Sequence, residues 1–218
     1  MTDETSGVSQ WQERTVERSL KVARQRAISK GSTFITAAVD LLRTTGKADF
    51  TVQELVDRSG MSLRSFYQHF ATKDDLLLAV VEESVDQHVA AARRRVDEET
   101  DPVARLQALL AVMFGSQETD DSASRGMVLF QWHLADSRTD EFAAILKPYV
   151  DTATEILGAG VAAGVFRTDI SVPVMAGMLI HTLVSILDMR VLGIHLGGDK
   201  VTSDDTVRWC LAGVTGGT

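Results

Sequence analysis

No stretch of this sequence alternates apolar and polar residues with a period of two, whereas apolar residues spaced three and four apart recur along nearly all of it. With only three prolines to interrupt the pattern, packed α-helices are the one architecture that satisfies it, and an all-α fold is expected. Of the 218 residues, 44% are hydrophobic and 24% charged, enough apolar side chain for a core of one or two domains and too much for a disordered chain. The single cysteine, Cys210, has no intramolecular partner, so a reducing compartment, the cytoplasm, is expected. The polar opening residues carry no secretory signal pattern. The apolar stretch over residues 172–187, sixteen residues without a charge and with a histidine, a proline and a serine in it, reads as a buried helix rather than a membrane span.

The punctuation of the first third is dense. Phe34, Ile35, Ala38, Leu41 and Leu42 define a helix from about residue 30 to 45 that stops at Gly46, with a basic stretch upstream of it. Thr51-Val-Gln-Glu54 is a capping box opening a short helix to Ser59. Gly60 suits a left-handed helix end, and Ser62 two residues later caps a third helix to about Phe70. Thr72 then caps a long fourth helix with Asp74 and Asp75 in its first turn and Arg93, Arg94 and Arg95 near its end. Asp101-Pro102 opens a fifth. Residues 115–124 read as a polar loop, and 127–135, 140–163, 172–193 and 204–211 complete about nine helices, Pro148 kinking or splitting the second of these four.

Two short helices joined by a tight glycine turn and preceded by a third make a helix-turn-helix, whose last helix can enter the DNA major groove. An ordinary helical corner is the alternative. On the third helix Phe66 and Phe70, four apart, anchor one side, which leaves Leu63, Arg64, Tyr67 and Gln68 outward. Arg64 can meet guanine bidentately and Gln68 adenine. Thr51, Tyr67, His69 and Lys73 suit phosphates, His69 being open between that role and a packed helix cap, and Ser62 at the start of the helix joins the DNA-binding set. The charge distribution agrees. The net charge is −8, yet residues 14–75 carry eleven Lys/Arg against seven Asp/Glu, whereas residues 76–218 carry eleven against twenty. The densest cationic stretch, Arg14, Arg18, Lys21, Arg24, Arg26 and Lys30 against Glu17, is either a solvated tail or a groove-binding element.

At these residues the sequence resembles the TetR family of bacterial transcriptional regulators, through Thr51-Val-Gln-Glu-Leu-Val-Asp-Arg-Ser-Gly60 and Met61-Ser-Leu-Arg-Ser-Phe-Tyr-Gln-His-Phe-Ala-Thr-Lys-Asp-Asp-Leu76. Beyond residues 34–81 the likeness is limited to helix count and to Gly164-Val-Phe-Arg167-Thr-Asp169 before a penultimate long helix. The resemblance implies a homodimer on a palindromic double-stranded operator, acting as a repressor and released by a small apolar ligand in the C-terminal domain. It implies a basic extension over residues 1–29, a helix-turn-helix head over 30–76, and a helical-bundle dimerisation and ligand-binding domain over 77–218.

For the ligand, Met113, Phe114, Met127, Phe130, Trp132, His133, Met178, His181 and Thr182, with Phe142, Tyr149 and Met175 beside them, offer apolar lining and a few polar handles, or else plain core. Small residues at Gly158, Ala159, Gly160, Ala162, Ala163 and Gly164 allow close helix approach in a dimer. Gly158-x-Gly160 follows no strand and is not a nucleotide loop. The five histidines have no short ligand spacing, so no metal is expected, and neither a catalytic set nor a cofactor motif is present. The alternatives to a ligand-responsive regulator are a DNA-binding regulator without an effector and a helical small-molecule-binding protein. A cavity of about 300 Å³ or more would favour a sensor.

Overall fold

A computed structural model describes residues 10–115, 122–197 and 201–216. Among these the regular structure is helical throughout: α1 (Gln10–Thr45), α2 (Val52–Ser59), α3 (Leu63–Tyr67), α4 (Lys73–Asp97), α5 (Pro102–Gly115), α6 (Ser122–Ser137), α7 (Thr139–Ala162), α8 (Val172–Leu192) and α9 (Ser203–Thr215). The expected loop over 115–124 falls mainly on residues 116–121, outside the described residues.

The first helix differs most from expectation. It starts at Gln10 and runs unbroken through the basic stretch for 36 residues. Its downstream half buries Phe34, Ala38, Leu41 and Leu42 and ends at Gly46, which has φ 68°. α2 and α3 pack beneath it through an aromatic cluster. Phe34 meets Phe66 edge-on at 5.6 Å and Phe70 at 6.3 Å, with Phe66 fully buried and Phe70 half-buried. Each such pair adds about 0.5–1.5 kcal/mol beyond the burial itself. α3 ends at Tyr67, shorter than the spacing suggests, because the chain turns where Gln68, His69 and Phe70 amides bond back to the carbonyls of Arg64 and Phe66.

α4 joins head and body. Leu76, Leu77, Val80 and Val81 bury its first half, and Val85, Val89, Ala92 and Val96 continue the stripe against the body helices. α6 lies along the C-terminal half of α1: a β-carbon on Gly126 would stand 3.1 Å from Leu42 Cδ2 and 3.2 Å from the Lys47 amide nitrogen. α7 stays continuous through Pro148 rather than splitting. α8 is 21 residues long, with mean hydropathy 1.7 in its most apolar window, long and apolar enough to cross a membrane. It is not buried all round as expected. Met175, Ala176, Leu179, Ile180 and Leu183 face inward, while Val174 and Met178 are exposed.

The segment before α8 is tied down by Arg167. Its guanidinium bonds both oxygens of Asp169 at 2.7 and 2.6 Å and the Gly213 carbonyl at 3.1 Å, fastening the α7–α8 connection to α9.

Candidate nucleic-acid interface and ligand cavity

The head presents α3 through its caps. The Ser62 hydroxyl accepts from the Ser65 amide at 3.1 Å, and Gly60 at φ 66° makes the turn from α2. Held from behind by Phe66, α3 turns Leu63, Arg64, Tyr67 and Gln68 to solvent, Tyr67 being 57% exposed. These four therefore share one accessible face. At α2 the Thr51 hydroxyl accepts from the Glu54 amide at 3.2 Å and donates to its carboxylate at 2.8 Å, while the Thr51 amide donates to that carboxylate at 2.6 Å. The backbone bond first, then the hydroxyl, holds the Glu54 carboxyl below its ordinary range. The Thr51 hydroxyl is thus already used both as donor and as acceptor.

Two of the expected phosphate contacts have internal employment. His69 Nδ1 lies 2.8 Å from the Ser65 carbonyl, which only accepts, so Nδ1 donates. The neutral ring then has an acceptor at Nε2, the wrong sign for a phosphate. Lys73 donates to the Ala48 and Phe50 carbonyls at 2.9 and 3.1 Å and sits 5.4 Å above the Phe50 ring, fastening the start of α4 to the α1–α2 connection.

The start of α4 is gripped from the other side as well. Arg138, between α6 and α7, donates to Asp75 at 2.8 Å and pairs bidentately with Glu141 at 2.8 and 2.5 Å; His133 Nε2 lies 3.5 Å from Asp74. Burial alone would raise the Asp75 carboxyl, but hydrogen bonds from Thr72 and Arg138 outweigh it and hold it below its ordinary range.

Between head and body lies a cavity of about 920 Å³, open on one side. Its head wall is Thr33, Thr36, Val39, Asp40 and Arg43 of α1 with Arg58 and Ser59 of α2. Its body wall comes from α4 to α8 and includes Val85, Met113, Met127, Phe142, Leu146, Tyr149, Val184, Leu187 and Val191. Arg58 is paired with Asp40 at this mouth. Polar groups of the body that enter this wall include Ser84, His88, Gln131, Tyr149 and Asp188. Burial lowers the His88 pKa, favouring the neutral ring. Burial raises the Asp188 carboxyl, opposed by the Trp132 indole N–H donating at 3.0 Å.

Of the nine expected ligand residues, Met113 and Met127 reach this cavity. Phe114 and Phe130 are buried elsewhere in the core. Trp132 turns its indole toward Asp188 from an exposed position, His133 faces Asp74, and His181 is exposed with Nδ1 donating to the Gly177 carbonyl at 2.8 Å. Met178 is 58% exposed and Thr182 half-buried. The cavity residues that spacing alone did not single out carried a signal: Ser84 and His88 sit four apart among the valines of α4, and Asp188 interrupts the apolar run of α8. Likewise the space of Gly160 is taken not by a second helix but by the chain's own Phe166, whose ring atoms would lie 2.0 Å from a β-carbon there.

A helix-turn-helix head whose outward helix is polar, joined by one long helix to a helical body, defines the class of a helix-turn-helix regulator. Comparison with known proteins makes this specific. The profile described as "Bacterial regulatory proteins, tetR family" matches residues 34–80, and that of "YsiA-like protein, C-terminal region" matches residues 81–193. The chain belongs to the TetR family of bacterial transcription regulators, with a helix-turn-helix DNA-binding domain.

Among curated relatives, the HTH-type transcriptional activator FasR of Mycolicibacterium smegmatis is 33% identical over 91 residues, which is 42% of this chain and 42% of FasR. The HTH-type transcriptional repressor KstR2 of the same organism is 27% identical over 152 residues, 66% of this chain and 71% of KstR2. The structure of FadR from Bacillus subtilis in complex with stearoyl-CoA superposes with a TM-score of 0.72 at 18% identity, covering 84% of this chain and 98% of that one. RolR in complex with resorcinol gives 0.65 at 19%, covering 88% and 90%.

Proposed function

We propose that this chain is a ligand-responsive repressor that binds a palindromic operator as a homodimer through α3 and is released by a small apolar effector held in the cavity between head and body. The observation that carries this reading is the composition of the cavity wall: α1 and α2 of the head and α4 to α8 of the body face the same space, so an occupant touches both. A volume of about 920 Å³ falls within the range of about 300–1,000 Å³ typical of ligand pockets, which supports a sensor over a regulator without an effector.

The roles follow from chemistry. Arg64 and Gln68 read base edges, Leu63 meets a thymine methyl, and Tyr67, the Ser62 hydroxyl and the amides of Val52 and Gln53 next to Thr51 hold phosphates; Lys73 offers its remaining N–H. Met113, Met127, Phe142 and Leu146 take the apolar part of the effector, while Gln131, Tyr149 and Asp188 supply polar handles. The exposed stripe of α8 at Val174 and Met178, with α7, forms the dimer surface. In that dimer the two copies of α3 stand about 34–36 Å apart when bound to successive major grooves. The head is taken as residues 30–76 and the body as 77–218. An effector releases DNA only by binding a differently spaced pair of heads more tightly, and a tenfold loss of operator affinity requires about 1.4 kcal/mol of that preference.

Selection of bound fragments from random duplexes tests the reading. The wild-type protein is expected to enrich a palindrome, and Arg64→Ala to relax the preference at one position of each half-site. Equal affinity for all sequences, or a preference unaltered by Arg64→Ala, overturns the assignment.

A further inference from the structure

We propose that the N-terminal half of α1 is a second DNA-binding element, a rigid cationic helix that takes the phosphodiester backbone outside the half-site read by α3; this rests on α3 facing DNA. α1 has a direction set by its packing. Near its C-terminal end Leu42 and Gly46 rest against Gly126 of α6, and eleven residues before Leu42 the β-position of Gly31 lies 4.0 Å from the ring of His69, just past the end of α3. The residues upstream therefore continue past the recognition helix and away from the body. At 1.5 Å per residue the helix from Gln10 to Lys30 extends about 30 Å, close to one turn of duplex.

This length is charged for such a partner. Residues 14–30 are all exposed and carry Arg14, Arg18, Lys21, Arg24, Arg26 and Lys30 against Glu17. Arg14, Arg18 and Lys21 share one face at spacings of four and three, with Glu17 beside them as the one carboxylate of residues 14–30, so the face keeps a net positive charge that a polyanion alongside would offset. Among the described residues no ion pair engages these cations. The acidic body lies toward the other end of the helix and cannot neutralise them from there. The opposite face holds Val16 and Leu20, 55% and 64% exposed, followed by two alanines. A second copy packed on that stripe would bring two cationic helices together, which charge disfavours and a phosphate backbone does not.

The experiment compares the full-length protein with the R14Q/R18Q/K21Q variant, helicity being checked by circular dichroism. Affinity is measured against salt on a selected operator and on a duplex of random sequence. Each phosphate that the variant no longer neutralises lowers the slope of log K against log salt by about 0.9, so a fall of two to three per head is expected. Between roughly 50 and 200 mM salt the wild type then weakens up to about 40-fold more than the variant for each head engaged, on both duplexes, with base preference unchanged and a shorter footprint. Unchanged slope and footprint overturn the proposal. A V16Q/L20Q variant that alters the oligomeric mass, with the R14Q/R18Q/K21Q slope unaltered, does so in favour of a second copy. Failure of the α3 reading is separate: it shows as no preference for the operator over the random duplex.

Discussion

Asp188 is the residue whose environment fights its charge most openly. It sits 9% exposed in the cavity wall, with one oxygen taken by the Trp132 indole. Burial raises its pKa above the ordinary 3.8, so the folded state favours the protonated carboxyl. Its contribution to stability is therefore full below the unfolded value and is lost as pH rises through the folded one. Asp188→Asn keeps an acceptor for Trp132 and removes the buried charge. The variant should melt higher than wild type at pH 7, and the advantage should vanish towards pH 4; in a chain of this size each 1 kcal/mol is worth roughly 2–4 °C. An equal difference at both pH values would mean that desolvation is not the cause. The outward set Leu63, Arg64, Tyr67 and Gln68 was legible in the sequence because a single spacing, Phe66 to Phe70, fixes which way that helix faces. Lys73 and His133 were not, since their partners, the carbonyls of Ala48 and Phe50 and the carboxylate of Asp74, come from distant parts of the chain.

Within elements, α7 contains a natural control. Gly160 and Gly158 lie two residues apart, but a β-carbon on the first would strike the Phe166 ring, whereas one on the second meets nothing within 4 Å. Gly160→Ala should destabilise by about 1–3 kcal/mol through forced repacking. Gly158→Ala should be neutral or stabilise by up to about 1 kcal/mol, because alanine loses less freedom on entering a helix. Denaturant titration of both variants checks this, and equal effects would mean that the Phe166 ring is not what requires glycine. The helices were mostly readable because caps and apolar stripes coincide: Thr51 with Glu54 forms the box its spacing implies, and Thr72 caps α4, where Asp75 completes a second box. The true start of α1 was not, because the residues before Lys30 bury nothing, and a helix without a buried face leaves no periodic mark to find. The cavity was harder still. Its lining is assembled from seven helices, so its residues are neighbours in space and not in any one stripe.

For the whole molecule the question is how the cavity speaks to α3. α6 contributes Met127, Val128 and Gln131 to the cavity, rests on α1 through Gly126, and ends at the Arg138 junction that grips the first turn of α4. A displaced α6 would therefore pull on α4 through Arg138 and Asp75, and on α1 through Gly126, moving the head as a unit. The Asp75 carboxyl is held below its ordinary 3.8, so the link is fully present above that pH and is lost as pH falls through the lower folded value. Arg138→Met should leave effector affinity and operator affinity, each measured alone, close to wild type. It should reduce the effect of one on the other, since variants along such a connection change coupling by about 0.5–2 kcal/mol. A double-mutant cycle with Asp75→Asn isolates the pair, with an expected interaction of about 0.5–3 kcal/mol. If Arg138→Met leaves the effector's influence on operator affinity intact, α6 acts on the head through the packing of Gly126 on α1 instead, and the grip on α4 is only an anchor.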